Sequence, residues 1–96
     1  MKPEGQLQIE IKDEVASGKY ANFAIIAHSS SEFVIDFICM IPNVTKAQVK
    51  SRIIMTPEHA KRFMLALQEN VMKYEAQNGA IFIPEQNAGP SFKGDA

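Results

Sequence analysis

The chain has one cysteine, no tryptophan and no long apolar run among its 96 residues. With Cys39 alone, an intramolecular disulfide and a cysteine-rich zinc site are both excluded. Cys39 lies within the apolar run FVIDFICMI and reads as a buried, inert thiol. No apolar stretch approaches the length needed to cross a bilayer. The first residues, MKPEGQLQIEIKDEV, are polar and acidic and lack the apolar centre of a signal peptide. A soluble, cytoplasmic protein is therefore expected, with no membrane partner. Charge of neither sign dominates. The formal net charge of -1 gives no general pull toward nucleic acid or an anionic surface.

Catalytic equipment is equally sparse. A nucleophilic mechanism needs a nucleophile, a base and a group that orients the base. Ser29, Ser30, Ser31 and Cys39 are the nucleophile candidates, and His28 and His59 the bases, but no known signature surrounds them. The three serines read better as a turn. Glu58 and His59 are adjacent, so on a helix they point to different sides and do not share a metal. The five glycines, at 5, 18, 79, 89 and 94, form no phosphate-binding loop. We expect no metal, no cofactor and no enzymatic activity.

What the chain does carry is architectural. In LQIEIK, Leu7, Ile9 and Ile11 alternate with Gln8, Glu10 and Lys12, the pattern of a half-buried strand over residues 6–12. Polar residues 13–18 follow, then extended runs at 19–28, 32–41 and 47–55 rich in β-branched and aromatic residues. Thr56 is placed as an N-cap, Pro57 as the first helical residue and Gly79 as the terminator, which predicts one helix over 57–78. Four strands followed by a helix, without alternation, predict an α+β fold. The expected form is a four-stranded antiparallel meander (β-β-β-β-α) with the helix packed on one face. Ala60, Phe63, Met64, Leu67, Val71 and Tyr74 follow helical spacing and form the expected sheet-facing stripe. The chain reads as one domain, with an ordered core over 6–84 and flexible ends at 1–5 and 87–96. Within that core, Ile81, Phe82 and Ile83 predict an extended C-terminal arm lying against the sheet or a neighbouring subunit.

Counting faces adds a second expectation. If the third and fourth runs (32–41 and 47–55) pair about residues 43–45, Asp36 falls opposite Arg52 and Val34 opposite Ile54, and a tight turn at Ser29-Ser30 brings Phe23 and Ile25 to the same face. One face then collects Phe23, Ile25, Val34, Ile38, Met40 and Ile54 around Asp36, Lys50 and Arg52. The other collects Ala24, Ile26, Ile35, Phe37, Val49 and Ile53. A solvated face should be plainly polar, and neither is. One helix covers one face, so the other is expected to be an oligomer interface made by Phe23, Ile25, Val34, Asp36, Ile38, Met40, Arg52 and Ile54. Asp36 is the one charge in its apolar run and is expected to pair with Arg52 or Lys50. The expected partner is a second copy, in a dimer or tetramer, with a further protein partner open. The alternative is a nucleic-acid-associated or transcription-related protein that uses a small basic patch of Lys46, Lys50, Arg52, Lys61 and Arg62. That patch lacks interleaved aromatics for base stacking.

The segments SEFVIDF and VKSRIIMTPEHAKRFMLALQENVMKYE resemble a family of small bacterial single-domain proteins of unassigned function. The likeness spans residues 9–79 and implies a fold and a bacterial source, but no activity. A looser likeness is to SecB and SecB-like chaperones, which also run four antiparallel strands into a long helix. It implies association through sheet and helix surfaces and the holding of unfolded polypeptides in apolar grooves. The chain differs from SecB in lacking a strongly acidic surface. Together these features lead us to expect a non-enzymatic, homo-oligomeric protein-binding or adaptor module.

Overall fold

The computed structural model describes residues 7–84. The expectations for residues 1–5 and 87–96 lie outside this range. The described order is a one-turn helix, α1 (Asp13–Ala16), three strands, β1 (Phe23–His28), β2 (Phe33–Cys39) and β3 (Gln48–Met55), and a long helix, α2 (Pro57–Asn78). The strands form one antiparallel sheet in the order β1-β2-β3. The fold is α+β, as the sequence predicts, but the sheet has three strands rather than four.

The missing strand is the first. Residues 7–12 belong to no strand, and Leu7, Ile9 and Ile11 are exposed. A strand exists only when its backbone meets a neighbour's, and alternation supplies the side-chain pattern without the neighbour. The chain turns away after Lys12, whose carbonyl accepts from the N–H groups of Val15 and Ala16 at 2.9 Å. Gly18, at φ 78°, closes this turn, and its N–H donates to the Val15 carbonyl. That backbone conformation is one glycine adopts without steric cost.

The other three strands pair as counted. Asp36 faces Arg52, Val34 faces Ile54 and Ile35 faces Ile53. The β1–β2 turn is held by Ser29, whose Oγ accepts from the N–H groups of Ser31 and Glu32. At the other end Asn22 takes the place of a strand residue. Its side-chain amide donates to the Met40 carbonyl at 3.0 Å and accepts from the Met40 N–H at 2.7 Å. The β2–β3 connection uses Asn43 at φ 68°, a left-handed position that asparagine tolerates.

The helix is where the sequence places it. Thr56 Oγ1 accepts from the His59 N–H at 3.1 Å, and Pro57 opens the helix. Gly79 ends it at φ 91° and ψ 165°, a positive-φ conformation other than the left-handed helical one expected. Its position relative to the sheet is a correction. No residue of α2 is buried, and the helix makes no extensive packing against any strand. The reason lies in the connection. Thr56 alone separates β3 from α2, so no loop is available to fold the helix back over the sheet. Ile81, Phe82 and Ile83 likewise remain 47, 78 and 50 % exposed, so the C-terminal arm is not buried against its own sheet.

The core is consequently small. Among the described hydrophobic residues only Ile35 and Ile38 are buried, and both belong to the central strand. They lie on opposite faces, so each face buries one side chain. Domains normally bury a sheet face against a second layer. Among the described residues neither face has one.

Candidate functional site

The site is best built outward from Asp36. Alternation along β2 places Val34, Asp36 and Ile38 on one face. The register brings Phe23, Ile25 and Ala27 of β1 and Arg52 and Ile54 of β3 to the same face. Arg52 grips the Asp36 carboxylate with two bonds, Nε to Oδ1 at 2.7 Å and Nη2 to Oδ2 at 2.9 Å. Such a fork fixes geometry as well as charge. The Asp36 side chain is only 15 % exposed, whereas that of Arg52 is 61 % exposed. The guanidinium hydrogen bonds hold the Asp36 carboxyl below its ordinary value. Desolvation opposes this, and the positive charge of Arg52 adds to it. Arg52 is raised in turn, first by its hydrogen bonds to Asp36. The pair is thus a neutral, rigid polar centre within an apolar face.

Around it, Ile25, Val49 and Ile54 are 45, 49 and 56 % exposed. Val49 joins this face by a route that alternation does not reveal. The register shifts between Phe37 and Ile38, so Val49 pairs with Ile38 while Ser51 pairs with Phe37, and Lys50 is left over. This is a bulge, and it moves one residue to the other side of the strand. Val49, counted with Ile35 from the sequence, therefore sits opposite Ile38. Lys50, counted with Asp36, lines a groove on the other face together with Phe37, Ser51 and Ile53. Met40 lies just beyond β2, held by Asn22, and is 46 % exposed.

The second face carries Ile26, Ile35 and Ile53 in one cross-strand row. His28 stacks on its partner Phe33, with ring centroids 5.3 Å apart. The groove of about 760 Å³ on this face is walled by Glu14 and Val15 of α1. It is apolar and open. A third apolar surface is α2 itself, where Phe63, Met64, Leu67 and Tyr74 are 41–53 % exposed. Leu65 and Met72, off the main stripe, are 52 and 62 % exposed.

Of the candidate basic residues, Lys46 and Lys50 line one hollow together with Met40 and Val44. Lys46 is in the β2–β3 connection, Lys50 at the bulge, and Lys61 and Arg62 in the early part of α2. Arg52 is bound to Asp36, and Arg62 pairs with Glu58 one turn earlier. No group of three or more His, Cys, Asp or Glu side chains is arranged for a metal ion among the described residues. No helix among them is long and apolar enough to cross a membrane.

This sheet, helix and cap arrangement can be set beside known proteins. The family described as protein of unknown function (DUF3467) matches residues 1–83. The chain belongs to this family. The match spans every described strand and both helices of this DUF3467 protein. Comparison with curated proteins and with solved structures returns no match. The family description carries no activity, so the chemistry of the surfaces is the basis for a functional reading.

Proposed function

We propose that this DUF3467 protein is a non-enzymatic, homo-oligomeric binding module that works through protein–protein contact. One observation carries the reading. Ile35 and Ile38 are the only buried hydrophobic residues described, while both sheet faces and the long helix leave large apolar side chains in contact with solvent. A sheet with two open faces and a helix with an uncovered stripe are complementary halves of a core. A second copy supplies the missing half of each. Small chains commonly complete their cores in this way. The fixed Asp36–Arg52 pair then serves as a polar pin that sets the register of the contact.

The same surfaces suit a SecB-like hold on extended polypeptides. Met40, Met64 and Met72 are 46, 53 and 62 % exposed, and methionine adapts to varied apolar partners. A bacterial, cytoplasmic setting agrees with this role. The basic residues favour nucleic acid less, because Arg52 and Arg62 already face carboxylates.

Sedimentation equilibrium tests the first part. A dimer or larger species is expected in the range of about 1–100 µM, and a monomer throughout refutes it. Suppression of aggregation of a chemically unfolded client tests polypeptide holding, and an unchanged aggregation rate removes that part. Salt-sensitive binding to duplex DNA would instead put nucleic acid first, since phosphate contacts release counterions.

A further inference from the structure

The two faces of the sheet differ in charge. One is built around the cross-strand row of Ile26, Ile35 and Ile53, and the rows through Phe33 and Phe37 add no acidic residue, lysine or arginine to it. The other carries the Asp36–Arg52 pair, with the Arg52 side chain 61 % exposed. Resting on the self-association proposed above, we infer that helix α2 of a second copy lies on the Ile26, Ile35 and Ile53 face, and that the exchange is reciprocal.

The helix matches that face in charge, breadth and length. Its two ion pairs, Glu58 with Arg62 and Glu69 with Lys73, lie at least about 120° round the helix from Leu67. The charge nearest the apolar stripe is Glu75, whose carboxylate accepts from the Ile81 N–H at 2.9 Å. Asn70, at the border of the stripe, donates to the Ala66 carbonyl of its own helix. The stripe of Ala60, Phe63, Met64, Leu67, Val71 and Tyr74 spans about 100° of the helix surface, the breadth of a helix that faces a core and wider than a coiled-coil seam. From Ala60 to Tyr74 it runs about 21 Å. The seven residues of β2 run about 24 Å.

The Asp36 face is a poorer seat. A charge-free stripe laid over Arg52 would take an ion pair out of water and return no further partner to it. The Ile35 face asks for no such desolvation. The groove on it is lined by Val15, Phe37 and Ile53, which offer further apolar contact, and its charged residues Glu14, Lys19 and Lys50 are exposed. Area decides between this seat and a pairing of two α2 stripes. Phe63, Met64, Leu67, Val71 and Tyr74 are 36–53 % exposed. At roughly 80 Å² left on each, they offer about 400 Å². Two stripes face to face bury about 800 Å² in all, below the range of a stable specific interface, and leave every sheet face bare. Two reciprocal helix-on-sheet contacts, with equal area covered on each sheet, bury about 1,600 Å², the standard size. The Asp36 face stays outside this contact and is open to a second one, which the ion pair would register.

The test uses the full chain, and adjacent isoleucines supply its control. Ile26 and Ile25 are 46 and 45 % exposed on opposite faces of β1, and Ile53 and Ile54 are 44 and 56 % exposed on opposite faces of β3. In sedimentation equilibrium, Ile26→Asp and Ile53→Asp should lower the dimerisation constant at least about a hundredfold. Ile25→Asp and Ile54→Asp should change it less than about threefold. Cross-linking gives a second readout. In a Cys39→Ser background, chains with Leu67→Cys or Val71→Cys are mixed in turn with tagged chains carrying Ile26→Cys or Ile53→Cys. Mild oxidation should link a mixed dimer in at least one pairing, and Leu67→Cys alone should give no covalent dimer. Dimer lost with Ile25→Asp and Ile54→Asp but kept with Ile26→Asp and Ile53→Asp would overturn the inference by moving the helix to the other face. A covalent dimer of Leu67→Cys alone, with no mixed product, would overturn it in favour of paired helices. Four aspartate variants that dimerise like the parent would overturn it as well. Where all four weaken dimerisation alike, or a variant fails to fold, the mixed disulfide decides: its presence upholds the exchange and its absence overturns it. Each of these failures leaves the proposed self-association standing. A parent chain that is monomeric throughout overturns both.

Discussion

Replacing Leu67 by aspartate separates a covered helix from a bare one. Leu67 lies mid-way along α2 and is 52 % exposed in the single chain. If α2 stood free in water, the change would cost little more than its helix propensity, about 0.5 kcal/mol. If a second copy covers the stripe, the arithmetic changes. Burying a whole leucine is worth about 1.5–3 kcal/mol, so the part left exposed here contributes roughly 1 kcal/mol on assembly. Burying an unpaired carboxylate adds at least about 2 kcal/mol. A two-fold assembly suffers both effects twice, for a total near 6 kcal/mol, or about a 10⁴-fold loss in association constant. Sedimentation equilibrium reads that loss directly. Thermal melts give a second readout, because the midpoint of an assembling chain rises with its concentration. The unmodified chain should therefore show a concentration-dependent midpoint, and Leu67→Asp should be monomeric with a lower midpoint. A variant that assembles and melts like the parent would show that the helix stripe is not covered, and the argument from open apolar surfaces would fail for α2.

The remaining predictions concern single contacts. The Asp36 carboxyl is depressed in the folded chain, so its contribution is fully present above the unfolded value near pH 4 and disappears as pH falls through the lower folded value. Acid unfolding of Asp36→Asn should lack this dependence, and parallel pH profiles for parent and variant would remove the ion pair as a stabilising element. Thr56→Ala should cost about 1 kcal/mol by releasing the His59 N–H, with Thr56→Ser close to neutral, measured by denaturant unfolding at fixed protein concentration. Gly79→Ala should cost about 1–3 kcal/mol through its positive φ alone, because the space around it is open. Equal stability of parent and variant would mean that the chain leaves α2 by another path.

How much of this was legible in the sequence varies with the range of the interaction that decides it. The helix ends were legible because Thr56, Pro57 and Gly79 act on backbone groups within one turn of themselves. The pairing of Asp36 with Arg52 was legible because a period of two and a short connection between β2 and β3 leave few registers. An excess of apolar residues on both faces could be counted for the same reason. The candidate face was therefore nearly complete before the structure, with Phe23, Ile25, Val34, Ile38 and Ile54 gathered around the ion pair.

Three features were decided only in space. The bulge at Lys50 brings Val49 round to Ile38, and no local pattern marks it, because both residues suit a strand in either register. Residues 7–12 have the alternation of a strand, but a strand also needs a paired neighbour, and they pair with no strand of the described sheet. The helix has the stripe of a sheet-covering element, but with Thr56 as its only link to β3 it does not lie on that sheet. In this chain the sequence by itself determined which side chains are fit for burial. The tertiary structure decided which of them find cover within one copy, because burial depends on where a second surface stands and not on the pattern that calls for it.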